Sequence, residues 1–245
     1  ILRLINMVEL AAKQTGIDVT PRWVEDIALG VFSAMDQSTR VFHQVEHAFD
    51  VAEGQEGLGI FAALFHDVVY LQVDGGIPDC YKKVLKPYIS VGNYTLAVLN
   101  NLSPVAHGVV KLFGFDKDSF LTYGPGVNEM LSALCALELM SDVLSKHQLL
   151  ELVAYIEATI PFRDNAAFRE LAEKLKSTAK DFGIRVSAAE VDKIVKKSVA
   201  FANGDVKNFA SVDTGAFLSE TWKLYAEMNP SLRRANSFYI QSYRT

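Results

Sequence analysis

The stretch RVFHQVEHAFDVAEGQEGLGIFAALFHDVVY, residues 40–70, is the part of the chain that decides the interpretation of the rest. It holds three of the five histidines, His43, His47 and His66, and Asp67 directly follows the last of them. Two histidines four residues apart lie on one face of a helix. Imidazole nitrogen and carboxylate oxygen are ligands that catalytic divalent metal ions take, so a histidine helix followed by a His-Asp pair is suited to a metal site, although a histidine pair with this spacing is by itself more typical of a polar helix face.

The apolar pattern around this stretch is helical. Thr20 and Pro21 are typical of a helix start, and helical spacing of apolar residues then continues to about Met35. We expect the histidine helix to begin near Thr39 and residues 58 to about 72 to form one buried helix. No alternating strand pattern extends beyond a few residues and no repeat is visible. The sequence therefore predicts an all-α fold.

Further helices are expected in the second half of the chain. Apolar spacing is helical from Val127, and Ser187 with Glu190 three residues later is a capping-box pattern. That helix should end near Asn203 and Gly204, immediately before Asp205. Residues 73–126 differ, because glycines and prolines interrupt short apolar pieces there. Short helices and loops are expected in this segment.

Composition narrows the class of protein. A chain of 245 residues, 50% of them hydrophobic, can bury roughly 70 to 75% of its unfolded surface, which favours one domain over residues 1–245. A net charge of -5 argues against binding to nucleic acid or to an anionic membrane. No run of apolar residues is long enough to predict a membrane span. Cys80 and Cys135 fit neither a disulfide scaffold nor a zinc motif, and indicate thiols in a reducing, cytoplasmic compartment.

FHQVEHAFDV followed by ALFHDVVY resembles the HD superfamily of metal-dependent phosphohydrolases. The first motif is locally similar to that of the cyclic-nucleotide phosphodiesterases. A group of bacterial HD phosphohydrolases gives a longer match, with motifs Arg-x-Tyr-His, His, Phe-His-Asp-x-x-Tyr, Asn-Glu-x-x-Ser-Ala and a later isolated Asp. The matching positions here are Arg40, Phe42, His43, His47, Phe65, His66, Asp67, Tyr70, Asn128, Glu129, Ser132, Ala133 and Asp205.

The resemblance implies a helical HD-type bundle and a set of metal ligands. Those ligands would be His47, His66, Asp67 and Asp205, with Asp164 as an alternative to Asp205. They would bind one or two divalent ions, among Mn, Fe, Mg, Zn, Ni and Co. Residues 73–126 lie where the bacterial group has a shorter connection, so they are expected to be an insertion. It would be a lid over the site, an oligomer contact or a peripheral elaboration.

The resemblance also implies roles for residues beside the metal. His43 matches the phosphodiesterase histidine that protonates the leaving oxygen, a role that suits a group titrating near neutrality. Glu129 would orient that histidine or the attacking water. Arg40 is expected to contact the substrate phosphate, with Lys207 a weaker candidate, although Arg40 and Glu129 could equally form a structural ion pair. His107 and His147 fall outside the motifs and are expected to be surface or core residues.

Two functions follow as expectations. The first is hydrolysis of a phosphate mono- or diester of a nucleotide or similar small molecule, by a monomer or a homo-oligomer. Alarmone hydrolysis fits less well, because those HD enzymes follow the motif with a Glu-Asp pair and this chain has Val69 and Tyr70. The second is an inactive HD fold that binds a ligand or a protein, favoured by the insertion and by Phe42 in place of tyrosine.

Overall fold

The computed structural model describes residues 1–92, 96–161, 163, 165–229 and 232, with the side chain of Asn165 left aside. Over these residues the chain is predominantly helical, so the expected all-α class is confirmed. The helices are α1 Leu2–Thr15, α2 Pro21–Met35, α3 Val45–Ala52, α4 Leu58–Phe65, α5 Leu71–Asp74, α6 Asp79–Leu85, α7 Pro104–Leu112, α8 Val127–Met140, α9 Lys146–Ala158, α10 Asn165–Asp181, α11 Ala188–Asp205 and α12 Thr214–Met228, with a 3-10 helix at Lys207–Ala210.

Helix α4 lies at the centre of the fold. Its residues Gly59 to Phe65 are all buried, which fits a helix that is apolar on every side. It packs against α1, α3, α8 and α9. Because the His-Asp pair follows directly after Phe65, the packing of α4 fixes the position of the pair inside the fold.

The helix that carries His47 begins later than expected. Helix α3 starts at Val45 and not near Thr39, so His43 precedes the helix and does not share its face with His47. In this stretch the amide of Gln44 donates to the carbonyl oxygen of Phe42 in a tight turn, and the amides of Val41, Phe42 and His43 converge on one carboxylate oxygen of Glu227, so the backbone is not helical there. The residues expected to form the first turn of the helix therefore form an irregular turn, which is held by a carboxylate from α12.

The expected helix over residues 58–72 is also divided. Helix α4 ends at Phe65, and α5 begins only at Leu71. Between them the amide of Val69 donates to Ser132 Oγ, and the amide of Leu71 donates to Asn128 Oδ1. These side chains of α8 satisfy the backbone where the helical ladder stops.

Residues 73–126 contain a small sheet that the sequence did not predict. Strands β1 Ile89–Val91, β2 Leu96–Val98 and β3 Phe120–Leu121 form an antiparallel sheet in the order β1-β2-β3. Leu96 pairs with Val91 on one side and with Leu121 on the other. Strands of two or three residues are too short to show an alternating pattern, and so only helices and loops were expected.

The helix ends in the second half follow their local signals. Ser187 and Glu190 form the predicted capping box of α11, and Thr20 caps α2 by accepting from the amide of Trp23. Helix α11 runs through Asn203 and Gly204 and ends at Asp205, so that aspartate belongs to the last turn of the helix. No helix in the described part of the chain is both long and apolar enough to cross a membrane.

Candidate metal centre

Four side chains from three separate segments converge on one point. His47 lies on α3, His66 and Asp67 follow α4, and Asp205 ends α11. The Nε2 atoms of His47 and His66 are 3.4 Å apart, and Asp205 Oδ1 is 3.0 Å from the first and 3.4 Å from the second. Asp67 Oδ2 is 2.9 Å from His66 Nε2 and 3.7 Å from His47 Nε2. All four predicted metal ligands are therefore brought together.

These distances match the spacing of ligands around one cation. Ligand atoms about 2.1 Å from a common ion are about 3.0 Å apart at a right angle and about 3.4 Å apart at the tetrahedral angle. His47, His66 and Asp205 have ligand atoms close enough to hold a metal ion, and so do His43, His47 and Asp67. The two groups share His47, so they are overlapping parts of one centre.

The tautomer of His66 makes its second nitrogen available to a cation. Its Nδ1 lies 2.9 Å from the carbonyl oxygen of Ala63, and since a carbonyl can only accept, Nδ1 carries the proton. In the neutral ring, Nε2 then presents a lone pair toward His47, Asp67 and Asp205. Acceptor atoms of both carboxylates and of His66 thus face a common point, which is an arrangement that a bound cation satisfies.

Charges at the centre are strongly coupled. Burial would raise the pKa of Asp67. The positive charges of His66 and His43 outweigh this effect and hold the pKa of Asp67 well below its usual range. Burial likewise opposes ionisation of Asp205, whose pKa is lowered by its hydrogen bonds to His47 and His66. Burial disfavours the charged form of His66, yet Asp67 and Asp205 raise its pKa. The two largely buried carboxylates therefore require positive charge nearby, from imidazolium groups or from a metal ion.

His43 lies beside the four ligands and is oriented differently. Its Nδ1 is hydrogen-bonded to Glu227, whereas its Nε2 points toward the centre, 3.8 Å from Asp67 Oδ2. The ring of Tyr70 packs against it edge to face, with centroids 4.7 Å apart. Burial disfavours the imidazolium form, but Asp67 and Glu227 together raise the pKa of His43. A ring that keeps some exposure and has one nitrogen fixed from behind is suited to proton transfer.

Glu227 on α12 is a site residue that the sequence did not reveal. One carboxylate oxygen accepts from the amides of Val41, Phe42 and His43, and the other bonds to the His43 ring. Burial opposes its ionisation, but the hydrogen bond and charge of His43 lower the pKa of Glu227 to about 2. It lies 184 positions from His43, and no local motif marks it.

The Asn-Glu-x-x-Ser-Ala motif has two structural parts and one part that faces the centre. Asn128 and Ser132 hold the backbone after the His-Asp pair, as described for Leu71 and Val69. Glu129 lies between them in the sequence. Burial raises its pKa to about 7, and the nearby negative charges of Asp67 and Asp205 act in the same direction. Glu129 is therefore placed beside the centre with a carboxyl that can exchange a proton near neutral pH.

Arg40 does not have the predicted role. Its side chain is fully buried, and it forms a bidentate pair with Asp74, with distances of 2.9 and 2.6 Å. The remaining donors reach the carbonyl oxygens of His43, Asp67 and Val68. The expectation that Arg40 contacts a substrate phosphate is wrong, because its guanidinium is enclosed by protein acceptors. The ion pair considered with Glu129 is instead made with Asp74.

The other candidates lie elsewhere. Lys207 pairs with Glu53 at 2.9 Å, and His107 pairs with Asp116 at 2.8 Å. His147 is exposed at the start of α9. Asp164, the alternative to Asp205, lies outside the described residues. Comparison of the chain with protein-family models, with curated proteins and with solved structures found no match.

Proposed function

We propose that the chain is an HD-type, divalent-metal-dependent phosphohydrolase acting on a phosphate ester of a nucleotide or a similar small molecule. The observation that carries the proposal is the convergence of His47, His66, Asp67 and Asp205. The Nε2 atoms of the two histidines lie 3.4 Å from each other and 2.9 to 3.7 Å from the carboxylate oxygens of the two aspartates. Mixed imidazole and carboxylate ligands on three segments are typical of hydrolytic metal sites. The resemblance of the His-Asp motifs to the HD superfamily supports the same class.

The residues around the ligands fit this chemistry. A divalent ion would make water a nucleophile near neutral pH and offset the negative charge on phosphoryl oxygens. His43 would donate a proton from Nε2 to the leaving oxygen, while Glu227 holds Nδ1. Glu129, with its pKa near 7, would accept a proton from the attacking water or orient it. Because Arg40 is enclosed, the substrate phosphate would be held through the cation and His43.

The test begins with metal content and turnover. Protein purified without chelator is analysed for transition metals, and is then assayed with Mn²⁺ against panels of nucleotide monoesters, cyclic diesters and alkyl phosphates. His66→Ala and Asp67→Ala are expected to lose both the bound metal and hydrolysis. Full hydrolysis by either variant would contradict the proposal.

A second experiment separates the enzyme from a binding module with the same fold. A nucleotide panel is titrated by thermal shift, with and without Mn²⁺. Ligand-induced stabilisation together with turnover supports the hydrolase. Stabilisation with no turnover under any metal ion would favour the ligand-binding or protein-interaction module.

A further inference from the structure

The buried pair Arg40–Asp74 joins the backbone of two residues of the candidate centre. The Arg40 guanidinium has five N–H donors, and the structure provides five acceptor contacts for them. Two are the carboxylate oxygens of Asp74, and three are carbonyl oxygens. Two of those carbonyls belong to His43 and Asp67, at 3.2 and 2.7 Å from the same Nη1 atom.

This geometry holds two segments at a constant separation. His43 belongs to the irregular stretch before α3, and Asp67 to the turn after α4, so neither is positioned relative to the other by a shared helix. Their side chains nevertheless meet, with His43 Nε2 3.8 Å from Asp67 Oδ2. A planar, rigid fork contacting both carbonyls from behind restricts their relative movement.

Asp74 in turn orients the fork. Its carboxylate accepts from Nε and Nη2 of Arg40, which directs Nη1 toward the two carbonyls. The side chain of Asp74 is only 5% exposed, so the pair is not loosened by solvent. A lysine at position 40 would have three donors on a flexible stem and could not reproduce this pattern.

We infer that Asp74, through Arg40, is a positioning residue that keeps Asp67 and His43 in register for cation binding and catalysis. The inference rests on the proposed function, since it assumes a cation bound at His47, His66, Asp67 and Asp205. Asp74 is not one of the candidate ligands, and it would act through the Arg40 guanidinium and the carbonyls that the guanidinium contacts. Residues that orient metal ligands from behind commonly change metal affinity by about 10- to 100-fold when replaced.

The experiment measures Mn²⁺ affinity, which does not require turnover. Asp74→Asn keeps the shape of the side chain but removes the charge that orients Arg40. We expect Mn²⁺ binding, followed by the electron paramagnetic resonance signal of free Mn²⁺, to weaken about 10-fold. Where the wild type hydrolyses a phosphate ester, kcat should fall by a similar factor with little change in KM, because the reacting groups lose their register.

A matched control separates positioning from general destabilisation. Glu157 is a fully buried carboxylate that, like Asp74, holds an arginine in a bidentate pair, here Arg163, and it also contacts Lys174. Glu157→Gln removes the same kind of charge from α9 and is expected to lower the melting temperature comparably. It should leave Mn²⁺ affinity and kcat unchanged. Equal loss of Mn²⁺ affinity in both variants would overturn the inference.

The remaining outcomes also decide between the proposals. Mn²⁺ affinity of Asp74→Asn equal to that of the wild type would overturn the inference and leave the hydrolase proposal intact. A wild type that binds Mn²⁺ but hydrolyses nothing would count against the proposed function, while the affinity difference would still support positioning. If Asp74→Asn does not fold, Arg40→Lys tests the same pair, with Arg163→Lys as its control. A wild type that binds no Mn²⁺ would overturn both proposals.

Discussion

His43 and the four ligands share one cluster but make different contacts. His43 Nδ1 is held by Glu227. Its Nε2 faces the centre but is 3.8 Å from Asp67 Oδ2, farther than His47 and His66 are from the carboxylates. We therefore expect His43→Ala to keep bound Mn²⁺ and to lose about 100-fold or more in kcat on alkyl phosphates, because these leaving groups need a proton. Hydrolysis of p-nitrophenyl phosphate should fall far less, since p-nitrophenolate leaves without one.

Comparison of the two substrates provides the check on His43. His107→Ala is the matched control, since His107 lies outside the motifs and pairs with Asp116, so its loss should change the hydrolysis of neither substrate. An equal fall for both leaving groups in His43→Ala would refute a proton-donating role. Loss of Mn²⁺ from that variant would instead assign His43 to the ligands.

Glu227 gives a second prediction at the scale of single residues. Glu227→Gln keeps an acceptor for the amides of residues 41–43 but removes the charge facing His43, so we expect kcat to fall about 10-fold while Mn²⁺ content is unchanged. Glu173→Gln is the control, an exposed carboxylate on α10 that pairs with Lys176. Identical kcat values for the two variants would contradict the assignment of Glu227.

Residues close in sequence were the ones that could be predicted. His47, His66 and Asp67 belong to motifs whose spacing could be examined, and the structure brings them together. Asp205 depended on resemblance alone, because an isolated aspartate has no spacing to test, yet it lies 3.0 Å from His47. The role of Arg40 was predicted wrongly and Glu227 was missed, because burial and contacts over 184 positions leave no local pattern.

At the scale of elements, α8 supports the turn that carries the His-Asp pair. Ser132 is fully buried, and its hydroxyl accepts from the amide of Val69 at 3.1 Å. Ser132→Ala leaves that buried amide without its acceptor, so we expect a loss of about 1 to 3 kcal/mol in the free energy of unfolding. Urea denaturation measures it. The control Ser141→Ala, just after the end of α8, should lower the free energy of unfolding by less than about 0.5 kcal/mol. Equal losses in the two variants would show that Ser132 does not support the turn.

Element boundaries were predictable where a local signal sets them. The caps at Thr20 and Ser187 are side chains bonding amides within their own first turn, and both helices begin as expected. The start of α3 and the end of α4 depend on Glu227, Asn128 and Ser132, which are distant in sequence. Apolar periodicity continues through both boundaries, so it predicted longer helices than the structure contains.

For the whole molecule, the centre lies where three parts of the fold meet. Helices α3 and α4 pack together. Helix α11, which lies far along the chain from both, packs against α3 and brings Asp205 to within 3.4 Å of His66. A cation bound there would stabilise the folded state, because the unfolded chain cannot assemble the ligands. At a free Mn²⁺ concentration of 100 times Kd this stabilisation is about 2.7 kcal/mol.

The most direct measurement is Mn²⁺ binding by the wild type and by Asp205→Ala, followed by electron paramagnetic resonance and by melting temperature. Asp205 is 158 positions from His47, so it can affect the cation only if the folded chain brings the two side chains together. We predict that the wild type binds Mn²⁺ and melts at a higher temperature with it, and that Asp205→Ala loses both effects while remaining folded. Unchanged Mn²⁺ affinity in folded Asp205→Ala would contradict the convergence of the four side chains on one ion.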